Sequence, residues 1–308
     1  MRPLPDAFAL MRKGGARLRP GDDQGLGILL ICLAVFSFTL MDATAKYLTA
    51  HYHTAQVVWA RFAGNILLVA AIYRGSFLVT MRSRQPMLQF WRGVTQIASV
   101  GLFFTSIQYI GLAEATAIMD VNPVLITLGA ALFLGESIGW RRAIGIAAAL
   151  IGALIVIRPG AGVFQPAAIL PMIGAFTYAA GALLTRIVRF DSTATSVLWS
   201  AVMGTVVSTA VLPFFWQAPQ LEHLWAFVLI GIFGTISQTL LIKGFSLAEA
   251  GAAAPFGYTG LIWAGMWGWL FFGQIPDRWT ITGAMIIVGA GLYVWARERA
   301  GPRRAAGE

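Results

Sequence analysis

The chain has 308 residues, of which 58% are hydrophobic and only 11% charged, and its mean hydropathy is +0.73. A soluble domain carries about a quarter charged residues, so water alone cannot cover this surface and a soluble globule is excluded. The net charge of +9 would suit nucleic acid, but its placement along the chain, given below, excludes that partner; the single cysteine, Cys32, excludes a disulfide framework and a cysteine zinc site.

Residues 1–24 are polar and are expected to form a disordered cytoplasmic tail, not a cleavable signal peptide, because the apolar run behind them is too long. Ten apolar segments follow, at 25–45, 54–73, 90–111, 116–134, 141–157, 166–187, 195–215, 223–244, 251–272 and 279–297. Each is long enough to cross a ~30 Å hydrocarbon core at about 1.5 Å per residue. The connections are short and rich in turn formers or charge, such as Arg158-Pro159-Gly160 and Gln274-Ile275-Pro276-Asp277. The expected fold is an all-α membrane protein with ten transmembrane helices. With the N-terminus inside, 18 Lys and Arg fall on inner segments and three, Lys46, Arg158 and Arg278, on outer ones, while Arg61 lies within the second span. That bias predicts a multi-pass membrane protein with both termini cytoplasmic, and it accounts for the basic charge without nucleic acid.

The chain repeats itself. Leu112-Ala113-Glu114-Ala115 recurs as Leu247-Ala248-Glu249-Ala250, each followed by a proline-containing span (Pro123, Pro255) that ends in Gly135-Glu136 or Gly273-Gln274. A glycine-rich apolar helix comes next in both copies, from Gly145 to Gly152 and from Gly283 to Gly291. The division is therefore 25–158 as the first repeat, 159–297 as the second and 298–308 as a cytoplasmic tail. Five helices per repeat is an odd number, so the second copy must enter from the opposite side. Inverted repeats give the same parts two equivalent packings, which is what alternating access needs, with substrate near the midplane.

These pieces resemble the EamA-type members of the drug/metabolite transporter superfamily across nearly the whole chain. The resemblance is carried by Met41-Asp42-Ala43-Thr44-Ala45-Lys46-Tyr47-Leu48, Trp59-Ala60-Arg61-Phe62, Trp91-Arg92-Gly93, Asn122-Pro123 and Leu134-Gly135-Glu136. The Asp-x-x-x-Lys-Tyr-Leu and Arg-Phe pieces are most similar to the branch of bacterial S-adenosylmethionine and riboflavin uptake carriers. Gln274 departs from the pattern, where the family usually places Glu. The resemblance also implies dimer contacts for the last helix of each half, and so a structural role for Gly145, Gly152, Gly283 and Gly289.

Ionisable groups at membrane depth require a reason. Arg61, with Asn65 one turn on, is the first candidate for holding an anionic substrate group, because a guanidinium grips carboxylate or phosphate bidentately; tying helices together through backbone carbonyls or Asp120 is the alternative. Asp42 and Lys46 stand four apart on one face, as an interfacial ion pair or as a gate. Asp120 and Asn122 precede Pro123 in the fourth span, and Tyr258 follows Pro255 in the ninth. Interrupted helices at matching positions point to a transport site, with Asp120 the candidate for proton coupling. Trp59, Tyr109, Tyr178, Tyr258 and Trp263 are candidates for stacking on an aromatic ligand, or else belt and packing residues. Glu136 and Arg141 are expected to form a structural ion pair at the inner surface, and His51 and His53 to be loop residues.

The chain contains no HExxH, CxxC, Walker or G-x-S-x-G motif, so no catalytic residues, metal or cofactor are expected. The leading reading is a secondary active transporter that imports S-adenosylmethionine, riboflavin or a similar compound. An exporter of amino acids or drugs is the alternative within transport, and a non-transporting receptor or structural subunit the alternative class. Monomer and homodimer remain open.

Overall fold

The computed structural model describes residues 20–73, 81–134, 140–158, 165–187, 191, 193–247 and 256–300. Among them there are helices and turns but no strands. The helices are α1 (Pro20–Thr49), α2 (Thr54–Tyr73), α3 (Pro86–Ser106), α4 (Leu112–Met119), α5 (Asn122–Leu134), α6 (Trp140–Ile157), α7 (Ile169–Ile187), α8 (Thr193–Val211), α9 (Leu224–Leu247), α10 (Thr259–Phe272) and α11 (Arg278–Ala300).

Local chemistry sets the ends. Pro86 opens α3, where its missing N–H is no loss. Gly273 closes α10 in the left-handed region at φ 63°, with its N–H donating to the Trp269 carbonyl and that of Gln274 to Gly268. Asp277 caps α11 by accepting the Thr280 N–H at 2.8 Å. Within the helices, hydroxyls such as those of Ser37, Thr44, Thr116 and Thr205 donate to the carbonyl four residues back. Lipid offers no hydrogen bonds, so these groups are satisfied inside their own helix.

Among the described residues, six segments are long and apolar enough to cross a membrane: Gly25–Thr49, Leu112–Phe133, Pro166–Thr185, Thr195–Phe214, Leu221–Leu241 and Arg278–Ala296. Two shorter apolar helices, Ala143–Ile157 and Thr259–Phe272, accompany them, and α2 and α3 occupy the second and third expected segments. The fourth expected span begins earlier than 116, at Leu112, because Gly111 ends the turn after α3 in an extended conformation. It is broken in two, α4 and α5, at Asp120–Val121.

The packing is interleaved. α1 lies along α9 as α3 lies along α7; α2 meets α9 as α8 meets α3; α1 meets α10 as α7 meets α5. The pairs α2·α8, α4·α10 and α6·α11 map onto themselves. The pattern of these strongest contacts is unchanged when α1–α6 are exchanged with α7–α11, and most of them join one half to the other. Small residues let backbones meet. A Cβ on Gly64 would lie 2.7 Å from Gly231 Cα, bringing α2 onto α9. On Gly283 it would lie 2.5 Å from the Gly152 carbonyl oxygen, bringing α11 onto α6. Gly145 also faces α11, through Val294, whereas Gly289 has nothing within 4 Å. The glycines expected at a dimer contact thus make, in three of four cases, the intramolecular seam between the last helices of the two halves.

Candidate transport site

Lys46 is the clearest correction to the sequence reading. It neither pairs with Asp42 nor reaches for the interface; it is buried, at 7% exposure. Its ammonium donates to the carbonyls of Ile107 and Ile110 at 2.5 and 2.8 Å, and stands 5.6 Å from the Phe272 ring centroid. Those carbonyls belong to the turn after α3, which has run out of helical N–H donors. Lys46 therefore closes the end of another helix.

Asp42 is left to a different partner. It lies within electrostatic reach of Arg61, and Arg61 in turn of Tyr178 on α7. The Arg61 guanidinium sits 5.6 Å from the Phe62 centroid and 5.5 Å from that of Phe104, whose side chain is fully buried. Its stem, with Met41, flanks Gly234 of α9. Among the described residues no hydrogen bond or ion pair closes on this guanidinium, and the alternative tie to Asp120 is absent. One turn on, Asn65 Oδ1 accepts from the Thr235 hydroxyl of α9 at 3.3 Å. Tyr178 lies in electrostatic reach of Arg61 and is 39% exposed. Arg61, Asn65, Asp42 and Tyr178 thus come together from α1, α2 and α7, against α9.

A second group forms at the break between α4 and α5. The break falls at Asp120–Val121 rather than at Pro123, because Pro123 has no N–H to bond the carbonyl of Met119 four residues back and itself fits the first turn of α5. Asp120 Oδ2 and Asn122 Oδ1 are both buried without a hydrogen-bond partner. Tyr258, in the turn that opens α10, is an electrostatic neighbour of Asp120, and a Cβ at Gly291 of α11 would overlap its hydroxyl. Pro255 lies outside the described residues, as does Glu136; the α6 backbone is described at Arg141 but its side chain is not.

Three aromatic candidates stand elsewhere. Tyr109 is 63% exposed at one end of the bundle, beside Glu114 and Arg158. Trp263 packs edge-on against Phe36 at 5.0 Å, between α10 and α1. Trp59 donates to Thr209 of α8 and meets Trp216 edge-on.

Sequence reasoning missed two clamps between the halves. At one end, Arg92 donates to the Ser196 carbonyl and the Ser200 hydroxyl, and Gln89 to Asp191, which also accepts from Ser83 and the Arg84 N–H. At the other, Tyr52 is buried; its hydroxyl accepts from the Gln220 N–H and hydrogen-bonds His223 Nδ1, while Gln56 exchanges hydrogen bonds with Gln217. The spacing of Gln89 with Arg92, and of Ser196 with Ser200, is the one sequence signal: each pair shares a helix face. His51 is exposed as expected, with its ring 4.3 Å from that of His223, and His53 stacks on Phe215. No group of three or more metal-ligating side chains occurs among the described residues.

The chain belongs to the EamA-like transporter family, which it matches twice, over residues 25–158 and 165–295. This is a family of membrane transporters, and not of enzymes. It is 27% identical over 277 residues to an S-adenosylmethionine uptake transporter of Rickettsia bellii, covering 89% of this chain and 94% of that protein. It is 30% identical over 272 residues to the pseudopaline exporter CntI of Pseudomonas aeruginosa, covering 86% and 94%. A riboflavin transporter of Rhizobium johnstonii is 27% identical over 285 residues, covering 91% and 94%. One solved structure, whose title gives no function, shares the fold with a TM-score of 0.61 at 16% identity, over 91% of this chain and 98% of that one.

Proposed function

We propose that this protein is a secondary carrier that moves a small amino-carboxylate metabolite across the bacterial inner membrane by alternating access. The observation that carries the reading is Arg61: a guanidinium in the interior that no carboxylate among the described residues closes upon, with Asp42, Asn65 and Tyr178 around it. A substrate carboxylate would supply the missing bidentate partner. Asp42, one step further, would receive a substrate cation. Of the substrates named for the relatives, S-adenosylmethionine fits this pair best, since it carries a carboxylate, an ammonium and a sulfonium, whereas riboflavin carries none. Ten spans in two inverted halves, both termini cytoplasmic, complete the proposal; the exchange-symmetric packing supports it. Asp120, with Asn122 and Tyr258, is the proposed proton-coupling site, because a buried carboxylate oxygen without a partner is a natural place to hold a proton.

A second reading, export of an amino-carboxylate of the pseudopaline kind, is favoured by the relative at 30% identity. It uses the same site, since a carrier runs down the net driving gradient.

A ligand that binds only the folded protein raises its thermal midpoint. S-adenosylmethionine is expected to do so, and decarboxylated S-adenosylmethionine to lose the effect, as is the Arg61→Ala protein with the intact ligand. Equal shifts from both compounds would refute the role given to Arg61.

A further inference from the structure

The break between α4 and α5 gathers hydrogen-bond acceptors that nothing meets. Asp120 Oδ2, in the break, and Asn122 Oδ1, on the first residue of α5, are both buried without a partner. The backbone adds to them. Pro123 has no N–H to return to the Met119 carbonyl, and the Val121 N–H goes to Ile118 instead of Ala117. Among the described residues, the last carbonyls of α4 are thus short of helical donors, at the end where the helix dipole is negative. No cation among the described residues lies within electrostatic reach of Asp120. The titratable group that does reach it is Tyr258, from the turn that opens α10. A carboxylate buried among acceptors must be neutralised, by a proton or by a metal cation. One carboxylate balances a single positive charge, and a divalent ion would leave a net charge buried. Unwound backbone at a helix break supplies the carbonyl oxygens that a monovalent cation takes.

We propose that the α4–α5 break is a binding site for a monovalent alkali cation such as sodium, held by the Asp120 carboxylate, Asn122 Oδ1 and the carbonyls freed at the end of α4. The inference rests on the reading of Asp120 as the coupling site and adds a second ion to it. Sodium and the proton compete for one carboxylate, so that either gradient drives the carrier through the same residue.

A cation that binds only the folded chain raises its thermal midpoint. The test is a titration of the full chain in neutral detergent with sodium chloride, against N-methylglucamine chloride at equal ionic strength and without substrate. A saturable rise specific to sodium is expected. Its affinity should be higher at alkaline than at acid pH, because fewer sites then carry the proton, and this comparison in the parent chain needs no variant to fold. Asp120→Asn should abolish the rise, and Asn122→Ala, which keeps the carboxylate, should weaken the affinity at least about tenfold. Equal midpoints in the two salts, a sodium effect independent of pH, or one undiminished in folded Asp120→Asn would each overturn the proposal. Proton coupling is read separately, from uptake driven by a pH gradient in sodium-free vesicles and its loss in Asp120→Asn, so that the two readings fail independently.

Discussion

Lys46 and Arg61 are both cations inside the bundle, yet their surroundings give them opposite fates. Lys46 has its ammonium taken by two carbonyls, which makes it structural. Replacing it with methionine leaves Ile107 and Ile110 unpaired in an apolar setting, at about 1–3 kcal/mol for each buried group. Lys46→Met should therefore lower the thermal midpoint in detergent clearly, and a variant as stable as the parent would contradict the assignment. Arg61 has aromatic faces around it but no closed hydrogen bond among the described residues, so its removal should spare folding and abolish flux. Arg61→Lys keeps the charge and loses the fork, and should recover only part of the flux.

The helices are held at their crossings by glycine, and the crossings differ in how much they would resent a methyl. Gly283→Ala drives a Cβ into the Gly152 carbonyl and Val156, an overpacking of about 1–3 kcal/mol. Gly101→Ala, in α3, meets nothing within 4 Å and should be neutral or slightly stabilising, since alanine is the better helix former. A comparison of the two thermal midpoints checks the α6–α11 seam directly. The clamp joining α3 to the α7–α8 connection has its own signature in pH. Burial pushes the Asp191 carboxyl up, but hydrogen bonds from Gln89, Ser83 and the Arg84 N–H, with the Arg84 charge, outweigh it and hold the carboxyl below the usual range. A carboxyl lowered on folding contributes fully above its unfolded value, near 3.9, and its contribution fades as pH falls through the folded one. Stability should thus drop below about pH 4 in the parent, and drop less in Asp191→Asn; parallel acid curves would remove Asp191 from the clamp.

At the scale of the molecule, the membrane class and the duplication were legible because they are written in composition and local pattern: apolar runs, and the repeated Leu-Ala-Glu-Ala. The broken fourth span was legible too, from Asn122-Pro123, although the break sits at Asp120 because proline acts on the residues before it. The partner of Lys46 was not legible, since the carbonyls that hold it are 61 and 64 residues away in sequence, and helical spacing pointed to Asp42 instead. The nearness of Asp42 to Arg61 and the Arg158–Asp277 bridge were hidden for the same reason: they depend on how the halves interleave. In the function proposed, such packing makes a carrier of two exchangeable halves, whose transport needs no nucleotide, only a gradient.

Counterflow in proteoliposomes tests this account most directly. Vesicles preloaded with unlabelled S-adenosylmethionine are diluted into labelled compound without nucleotide. The account predicts transient accumulation of label by the parent protein and none by Arg61→Ala of equal stability. Undiminished accumulation by Arg61→Ala, or accumulation that requires ATP, would contradict it.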